Sequence, residues 1–274
     1  MSDNLSEGIQ LAGPLLFNVN CGIATVTLHD PRTRNSLSER VIDLIVESVE
    51  RVNADVDVKC MVITGSGSTF CSGGNMKEMF TQGSFTQGSS VAIRKAMMGY
   101  QRIVRAIQSL EVPSIAAING PAVGGGFDLA LACDMRLASE NAKLIQRFLS
   151  LGVISADGGW WLLPRIVGLA RAYEIALQDK PINAENALKL GLVSAVFGVE
   201  QFMPKTIEFA QEISRHPPHS IRLAKRLIQQ SSRCDLDASL ELAASMQADL
   251  YRTEDQREAV AAFVEKRSGN YKGR

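Results

Sequence analysis

Three consecutive glycines followed by a carboxylate form the segment of the sequence with the clearest chemical potential. The glycines occupy 124–126, and Asp128 follows after one phenylalanine. Residues 114–118 read as a short buried strand and 127–133 as a helix, so the glycines would lie at a helix N-terminus. Backbone N–H groups there lack intrahelical partners and carry the positive end of the helix dipole. An anionic oxygen would be stabilised beside them, as in an oxyanion hole.

The carboxylate adds a group that can exchange protons. In a helix that begins near Gly125, Asp128 lies about one turn further along, and its side chain leans back toward the N-terminus. An acid would then stand near the place where negative charge develops. The same residues also permit a purely structural role, in which the glycines form a tight strand-to-helix corner and Asp128 only complements the helix dipole. The sequence leaves both roles open.

A second glycine cluster follows another apolar strand. Residues 58–64 read as a strand, and 65–75 form a glycine loop that contains Phe-Cys-Ser-Gly-Gly-Asn. With the Asn-Gly-Pro-Ala-Val-Gly-Gly-Gly-Phe-Asp run at 119–128, this loop resembles the enoyl-CoA hydratase/isomerase family, also called crotonases. Members of that family carry F-x-A-G-A-D-like and N-G-x-x-x-G-G-G-x-E-like segments at this separation. The resemblance extends in register over roughly residues 13 to 272 and includes three further segments, 152–168, 184–193 and 262–267.

The pattern of apolar segments predicts a mixed α/β protein. A hairpin is expected across residues 20–22, and Ser38 is a plausible N-cap for the helix that follows. Strands near 58–64, 114–118 and 133–138 alternate with helices, which favours buried parallel strands. For the winding of these strands, the resemblance implies a crotonase-like spiral of ββα units with a helical C-terminal region.

The same resemblance implies a division of the chain and an assembly. Residues 1–198 would form the spiral core with an acyl-CoA site, and 199–274 a helical trimerisation region. The helices of that region are expected to make the subunit contacts of a homotrimer or a dimer of trimers.

Composition excludes several other classes of protein. The 274 residues are 46% hydrophobic and can bury a sizeable core, while a formal net charge of zero gives no long-range reason to bind nucleic acid. No apolar run approaches the roughly 18 residues of a membrane span, and the polar start is neither a secretory nor a transit signal, so a cytoplasmic protein is expected. Five cysteines without C-x-x-C spacing and three histidines indicate reduced thiols and no metal site.

The resemblance also implies particular chemistry. Carried over residue by residue, the two donors of the family's oxyanion hole fall on the backbone N–H groups of Ser72 and Gly125. They would hold the thioester oxygen of an acyl-CoA and stabilise an enolate. CoA belongs to the substrate, so no separate cofactor is expected.

Weaker signals concern the binding of CoA itself. The resemblance places one loop along its pantetheine arm, namely Ser72, Gly73, Gly74 and Asn75. It places Phe263 and Lys266 near the adenine, contributed by a neighbouring subunit. Lys266 could equally be a solvated charge at the end of a helix.

The sequence departs from the family at the catalytic acids. Hydratases of the family use two glutamates to position and activate water; the first aligns with Asp128, and the second aligns with Phe148, which cannot exchange protons. Asp157 is the nearest replacement carboxylate. Some relatives carry an essential aspartate nearby, but at the position of Ala156. Asp157 could instead be the N-cap of a helix that starts at 158 or 159.

Three functional hypotheses follow. The first is a hydratase-like lyase that adds water to an α,β-unsaturated acyl-CoA, with Asp128 and Asp157 handling the protons. The second keeps the enolate but leads to isomerisation, decarboxylation or hydrolysis, and Phe148 favours it. The third is a non-catalytic acyl-CoA-binding subunit. The resemblance also places four aromatic residues around the acyl site and so implies an apolar site, although each could instead pack in the core: Phe127, Phe148, Trp160 and Trp161.

Overall fold

The computed structural model describes residues 13–76, 79, 85 and 88–274. Within them the chain is α/β, as the pattern predicts. The strands are β1 (Leu15–Asn20), β2 (Ile23–Leu28), β3 (Cys60–Gly65), β4 (Ser114–Ile118), β5 (Pro121–Val123), β6 (Met135–Ser139), β7 (Lys143–Ile145), β8 (Ile182–Asn183) and β9 (Ala195–Phe197). The helices are α1 (Glu39–Ala54), α2 (Ser90–Ser109), α3 (Gly125–Ala132), α4 (Gly159–Val167), α5 (Leu169–Gln178), α6 (Ala184–Lys189), α7 (Val199–Ser214), α8 (Pro218–Ser231), α9 (Leu236–Leu250) and α10 (Glu254–Glu265).

Six strands form the main sheet, in the order β1-β2-β3-β4-β6-β9. The first two pair antiparallel, and Cys21 and Gly22, both with positive φ, make the tight turn between them. The remaining neighbours pair in parallel. Every residue of β3 and β4 is buried, as expected for parallel strands covered on both faces. The predicted hairpin and the predicted strands at 58–64 and 114–118 are therefore confirmed.

A smaller sheet carries the chain toward the glycine run. It consists of β5, β7 and β8, with β5 and β7 parallel. Because β5 ends at Val123, the three glycines follow it directly and α3 begins at Gly125. The strand predicted near 133–138 starts later, at Met135, because α3 continues to Ala132.

The main sheet is covered on both faces. One face packs with α1, α2 and α3 in a large apolar core whose fully buried members include Leu44, Ile63 and Phe127. The other face is covered by α7, whose Phe202 and Ala210 pack among the sheet residues Ile23, Cys60, Val62, Ile115, Ala117 and Leu137. The first helix of the predicted 199–274 region is thus part of the core.

Two basic side chains attach α8 to the core. Lys225 is only 8% exposed, and its Nζ donates to the carbonyl oxygen of Val112 at 2.8 Å and to Asp134 Oδ2 at 2.7 Å. The same Asp134 oxygen accepts from the N–H and the hydroxyl of Ser114. Arg222 donates to Glu111 at 2.7 Å. These bonds hold α8 against the ends of the strands β4 and β6.

The cysteines are all free. Cys60, Cys71 and Cys133 are buried, whereas Cys21 and Cys234 are exposed. Burial raises the pKa of the Cys71 thiol to about 12, so the group stays protonated and unreactive at neutral pH. As for membranes, no helix among the described residues has the length and apolar character that a span requires.

Candidate active site

The two glycine loops lie side by side. Cys71 N donates to the carbonyl oxygen of Pro121 at 3.2 Å, and Val123 N donates to the carbonyl oxygen of Cys71 at 2.9 Å. The loop after β3 therefore runs parallel to β5, which leads into the glycine run. Gly126 packs so closely against this loop that a Cβ would overlap the carbonyl oxygen of Cys71. The loop contact thus requires glycine at position 126.

Two backbone N–H groups lie close together between the loops. They belong to Gly74 and Gly125, and neither donates to another residue in the described part of the chain. A Cβ on Gly125 would lie 3.8 Å from the nitrogen of Gly74. Because Gly125 opens α3, the positive end of the helix dipole also points here. Gly73 makes the approach possible, since its φ is 84° and a Cβ would lie 2.5 Å from the carbonyl oxygen of Val123.

The N–H of Ser72, predicted as a donor, is already used within the protein. It donates to the carbonyl oxygen of Arg34 at 3.0 Å, and the Ser72 hydroxyl donates to that of Thr33 at 2.9 Å. The prediction for Ser72 is corrected: the N–H left available in this loop is that of Gly74, two residues later. No local signal marks the difference, because Arg34, whose carbonyl oxygen accepts this N–H, belongs to a distant segment of the chain.

Asp157 lies beside Gly125. Its Oδ2 lies 3.1 Å from the position of a Cβ on Gly125. The alternative role as an N-cap is wrong, because α4 is capped by Gly158, which has a left-handed φ of 95°, and no side chain makes the capping bond. Burial raises the pKa of Asp157 to about 6. The carboxyl group is therefore mostly ionised at neutral pH.

Asp128 is completely buried behind Asp157. Its Oδ2 accepts a hydrogen bond from the Ser155 hydroxyl at 2.6 Å, and its Oδ1 has no hydrogen bond with the described residues. Gly159 packs directly against the carboxyl group, where a Cβ would overlap Oδ1. Residues from α3, α4 and the segment before α4 together enclose this acid.

The burial of Asp128 sets its protonation. Burial raises its pKa to about 8; the hydrogen bond from Ser155 opposes the rise, and the charge of Asp157 adds to it. At neutral pH Asp128 is mostly protonated while Asp157 is mostly ionised. The two neighbouring carboxyl groups thus differ in protonation state, as the acid and the base of a catalytic pair do.

Phe148 occupies an apolar aromatic corner beside the glycine run. Its Cε1 lies 3.7 Å from the position of a Cβ on Gly124, and its ring meets that of Trp160 edge to face at 6.4 Å between centroids. Trp160 Nε1 donates to Gln146 Oε1 at 2.7 Å. Trp161, by contrast, is 44% exposed and stacks under Arg165. Of the predicted aromatic set, the structure brings Phe148 and Trp160 together, and Phe127 lies in the core.

A cavity lies near Gly74. It has a volume of about 550 Å³ and is lined in part by Met79, Phe85 and Tyr100. A Cβ on Gly74 would lie 2.7 Å from Met79 Sδ, so the side chains of this cavity reach the donor loop. Within the described residues, no three His, Cys, Asp or Glu side chains group as metal ligands would.

The remaining predicted contacts with CoA lie in α10 and in the donor loop. The Phe263 side chain is 84% exposed, and Lys266 follows α10 as its C-cap with a left-handed φ of 54°. The role of these two residues near the adenine stays a prediction. The role of the 72–75 loop along the pantetheine also stays a prediction.

Comparison with known proteins agrees with this architecture. The family model described as enoyl-CoA hydratase/isomerase matches residues 18–274. The crystal structure of an enoyl-CoA hydratase from Bacillus anthracis superposes with a TM-score of 0.90 at 31% identity, over 96% of this chain and 100% of that chain. The fold is therefore the α/β crotonase fold that the sequence predicts.

Two relatives show the range of activities among similar sequences. A short-chain-enoyl-CoA hydratase from Clostridium acetobutylicum is 32% identical over 89% of this chain and 92% of its own length. A 1,2-epoxyphenylacetyl-CoA isomerase from Escherichia coli is 33% identical over 95% of this chain and 98% of its own length. The chain belongs to the enoyl-CoA hydratase/isomerase family, whose named relatives include both kinds of enzyme.

Proposed function

We propose that this protein binds an acyl-CoA thioester through the N–H groups of Gly74 and Gly125 and moves a proton on the acyl chain with Asp157. The observation that carries the proposal is an ionised carboxyl group beside Gly125, near two backbone donors that have no hydrogen-bond partner among the described residues. The donors would form an oxyanion hole. Removal of one such donor typically costs about 2.7–4 kcal/mol of transition-state stabilisation.

Double-bond isomerisation is the reaction that this arrangement supports best. Asp157 accepts a proton from the γ or α carbon of an enoyl thioester, and the electrons move onto the thioester oxygen, where the two N–H groups stabilise them. The same carboxyl group then returns the proton to the other carbon, which shifts the double bond. This sequence needs one base and no water. The aromatic corner formed by Phe148 and Trp160 suits such a reaction, because it offers no group that could activate water.

Hydration is the second candidate, and the pair of carboxyl groups favours it. The pKa of Asp128 is about 8 and that of Asp157 about 6, so one could donate a proton while the other accepts one from water. The hydratases among the relatives add support. This route requires Asp128 to reach the substrate, although its carboxyl group is completely buried.

A first experiment tests enolate formation without assuming either outcome. Butyryl-CoA has no double bond to hydrate or move, and its α protons exchange with D₂O only when an enolate forms. We expect wild type to incorporate deuterium, as measured by mass spectrometry, and the Asp157→Asn variant to lose at least about 100-fold in rate. Equal rates in the two proteins would contradict the role of Asp157. Binding of butyryl-CoA with no exchange would instead support a non-catalytic acyl-CoA-binding subunit.

A second experiment separates the two reactions. With 3-hexenoyl-CoA, isomerisation produces the conjugated 2-enoyl thioester and its absorbance. With crotonyl-CoA, hydration removes that absorbance. We expect turnover of the first substrate to exceed that of the second, and a clear excess of hydration would reverse the order of the two candidates.

A further inference from the structure

We propose that Asn35 is a positioning residue that holds the Gly74 N–H in line with that of Gly125. The inference rests on the proposed function, because it concerns the alignment of the proposed oxyanion hole. Asn35 itself contacts neither N–H group. It acts through the segment 33–37, which lies between the loop after β2 and the start of α1.

The Asn35 side chain ties this segment to the loop that follows β3. It is 2% exposed, and its Nδ2 donates to the carbonyl oxygens of Thr69 at 2.7 Å and Ser66 at 3.0 Å. Its Oδ1 accepts from Asp30 N at 3.0 Å. The residue also has a φ of 58°, a left-handed conformation that asparagine tolerates better than most residues. An amide with two donors and one acceptor therefore joins the two segments.

The segment 33–37 in turn holds the chain on both sides of Gly74. Before it, the N–H of Ser72 donates to Arg34 and the N–H of Leu37 donates to the carbonyl oxygen of Gly73 at 2.8 Å. After it, Asn75 N donates to the carbonyl oxygen of Leu37 at 3.4 Å. The pairing uses the flanking residues and leaves the N–H of Gly74 pointing away from it.

The same segment also reaches the second donor. The Leu37 side chain is buried, and its Cδ1 lies 3.3 Å from the position of a Cβ on Gly125. One short segment thus contacts both donor residues, and the amide of Asn35 anchors it. Loss of this anchor would let the Gly74 N–H shift relative to Gly125 without removing either donor.

The test uses two variants that change the amide and preserve the backbone. Asn35→Gly removes the side chain and keeps the left-handed φ without strain. Asn35→Asp keeps the shape and the acceptor for Asp30 N but loses both N–H donors. We expect kcat for 3-hexenoyl-CoA isomerisation, or for α-proton exchange of butyryl-CoA, to fall about 10- to 100-fold, with KM changed less than about threefold.

A spectroscopic measurement reports the alignment directly. The infrared band of butyryl-CoA labelled with ¹³C at the thioester carbonyl should move to lower frequency on binding to wild type, because two N–H groups polarise the carbonyl. In the Asn35 variants we expect this band to return toward its position in free solution. A residue that served only to stabilise the fold would not move the band in folded protein.

Asn53 provides a matched control. Its side chain also joins two segments, since Oδ1 accepts from Glu111 N at 2.9 Å and Nδ2 contacts the carbonyl oxygen of Ser109. It lies at the far end of α1. Asn53→Ala should lower thermal stability but leave kcat and the carbonyl band at their wild-type values.

Ser72→Ala covers the case in which the Asn35 variants do not fold. It removes only the hydroxyl bond to Thr33 and leaves the core unchanged, and we expect smaller changes in the same two readouts. Wild-type kcat and band position in the folded variants would overturn the role of Asn35. An unshifted band in wild type itself would instead contradict the proposed oxyanion hole.

Discussion

Two carboxyl groups with different environments dominate the site at the scale of single residues. Asp128 is completely buried and accepts a hydrogen bond from Ser155, whereas Asp157 is half-buried beside Gly125. Burial raises both pKa values, and it raises that of Asp128 further, to about 8 against about 6. Environment rather than residue type therefore distinguishes the neutral acid from the ionised one.

The pH dependence of turnover should show which carboxyl groups take part. Asp157 must be ionised to accept a proton, so kcat/KM is expected to rise as pH rises through about 6. If Asp128 also donates a proton, kcat/KM falls above about 8, and Asp128→Asn removes that upper limb. Profiles of wild type and variant between pH 5 and 10 measure both limbs. The absence of a lower limb would argue against Asp157 as the base.

The raised pKa of Asp128 also predicts how stability depends on pH. The pKa of Asp128 in the folded protein, about 8, exceeds the ordinary value of 3.8. The contribution of the protonated carboxyl group to the free energy of unfolding is therefore complete below pH 3.8 and is lost as pH rises to about 8. Each unit corresponds to about 1.4 kcal/mol. Urea unfolding gives the free energy of unfolding of Asp128→Asn relative to that of wild type. We expect this difference to favour the variant by a few kcal/mol more at pH 8 than at pH 5. An identical difference at both pH values would contradict the burial of an ionisable group.

Gly125 should be required for activity but not for folding. Its φ is not in the left-handed region, so an alanine meets no backbone strain there. The added Cβ would lie 3.1 Å from Asp157 Oδ2, inside the space that the two N–H groups share. Gly125→Ala is expected to lose about 100-fold or more in kcat/KM. Tm should fall only slightly, because the one apolar neighbour that must move is the end of the Leu37 side chain, 3.3 Å from the new Cβ. Gly198→Ala, at the exposed start of α7 where the new Cβ would meet only Glu140 Oε1 at 3.6 Å, should keep full activity.

At the scale of elements, the C-terminal helices differ in what they stabilise. The buried apolar side chains of α7 close the second face of the main sheet. By contrast, α8 is attached by the bonds of Lys225 and Arg222 to the ends of core strands. The predicted 199–274 region therefore contains one helix of the core, α7, and one helix, α8, that polar bonds attach to the ends of the strands.

Loss of the Lys225 ammonium should be costly because its partner is left unpaired. Lys225→Met leaves the Asp134 carboxylate, whose side chain is 24% exposed, without its cation. Breaking a fully buried pair typically costs about 3–5 kcal/mol, so we expect a loss toward the lower end of that range. Urea unfolding should show this loss. Lys189→Met removes an exposed pair with Glu185 and should leave the free energy of unfolding nearly unchanged. Equal effects of the two variants would mean that the bond from Lys225 contributes little.

At the scale of the whole molecule, exposed apolar side chains suggest an assembly. They include Leu151 and Ile154 before α4, Tyr173 and Leu177 on α5, and Phe263 on α10. Such surfaces commonly mark interfaces between subunits. We propose a homotrimer or a dimer of trimers. Light scattering should give three or six times the chain mass of 29.7 kDa, and Tyr173→Glu with Leu177→Glu should lower that mass if α5 takes part. A monomeric mass for wild type would refute the assembly.

Much of this molecule is determined locally. Short-range patterns predict three of its features: the apolar runs of β3 and β4, the turn at Cys21 and Gly22, and the Ser38 cap. The side chain of Ser38 accepts from Val41 N, as expected of an N-cap. The glycine loops and Asp128 were also recognisable, because their residue types restrict the backbone at adjacent positions. These features depend on neighbours along the chain, which the sequence displays directly.

The tertiary structure alone decided which groups are available for chemistry. The N–H of Ser72 donates to a carbonyl oxygen of the segment 33–37. The N–H of Gly74 does not, because the hydrogen bonds with that segment are made by the residues on either side of Gly74. Asp157 becomes a neighbour of Gly125, and Asp128 becomes neutral, only when α3 and α4 pack together. Hydrogen-bond partners and burial depend on approaches between distant segments. For that reason the sequence determined the two loops and the acids, and the fold determined their donors and their charges.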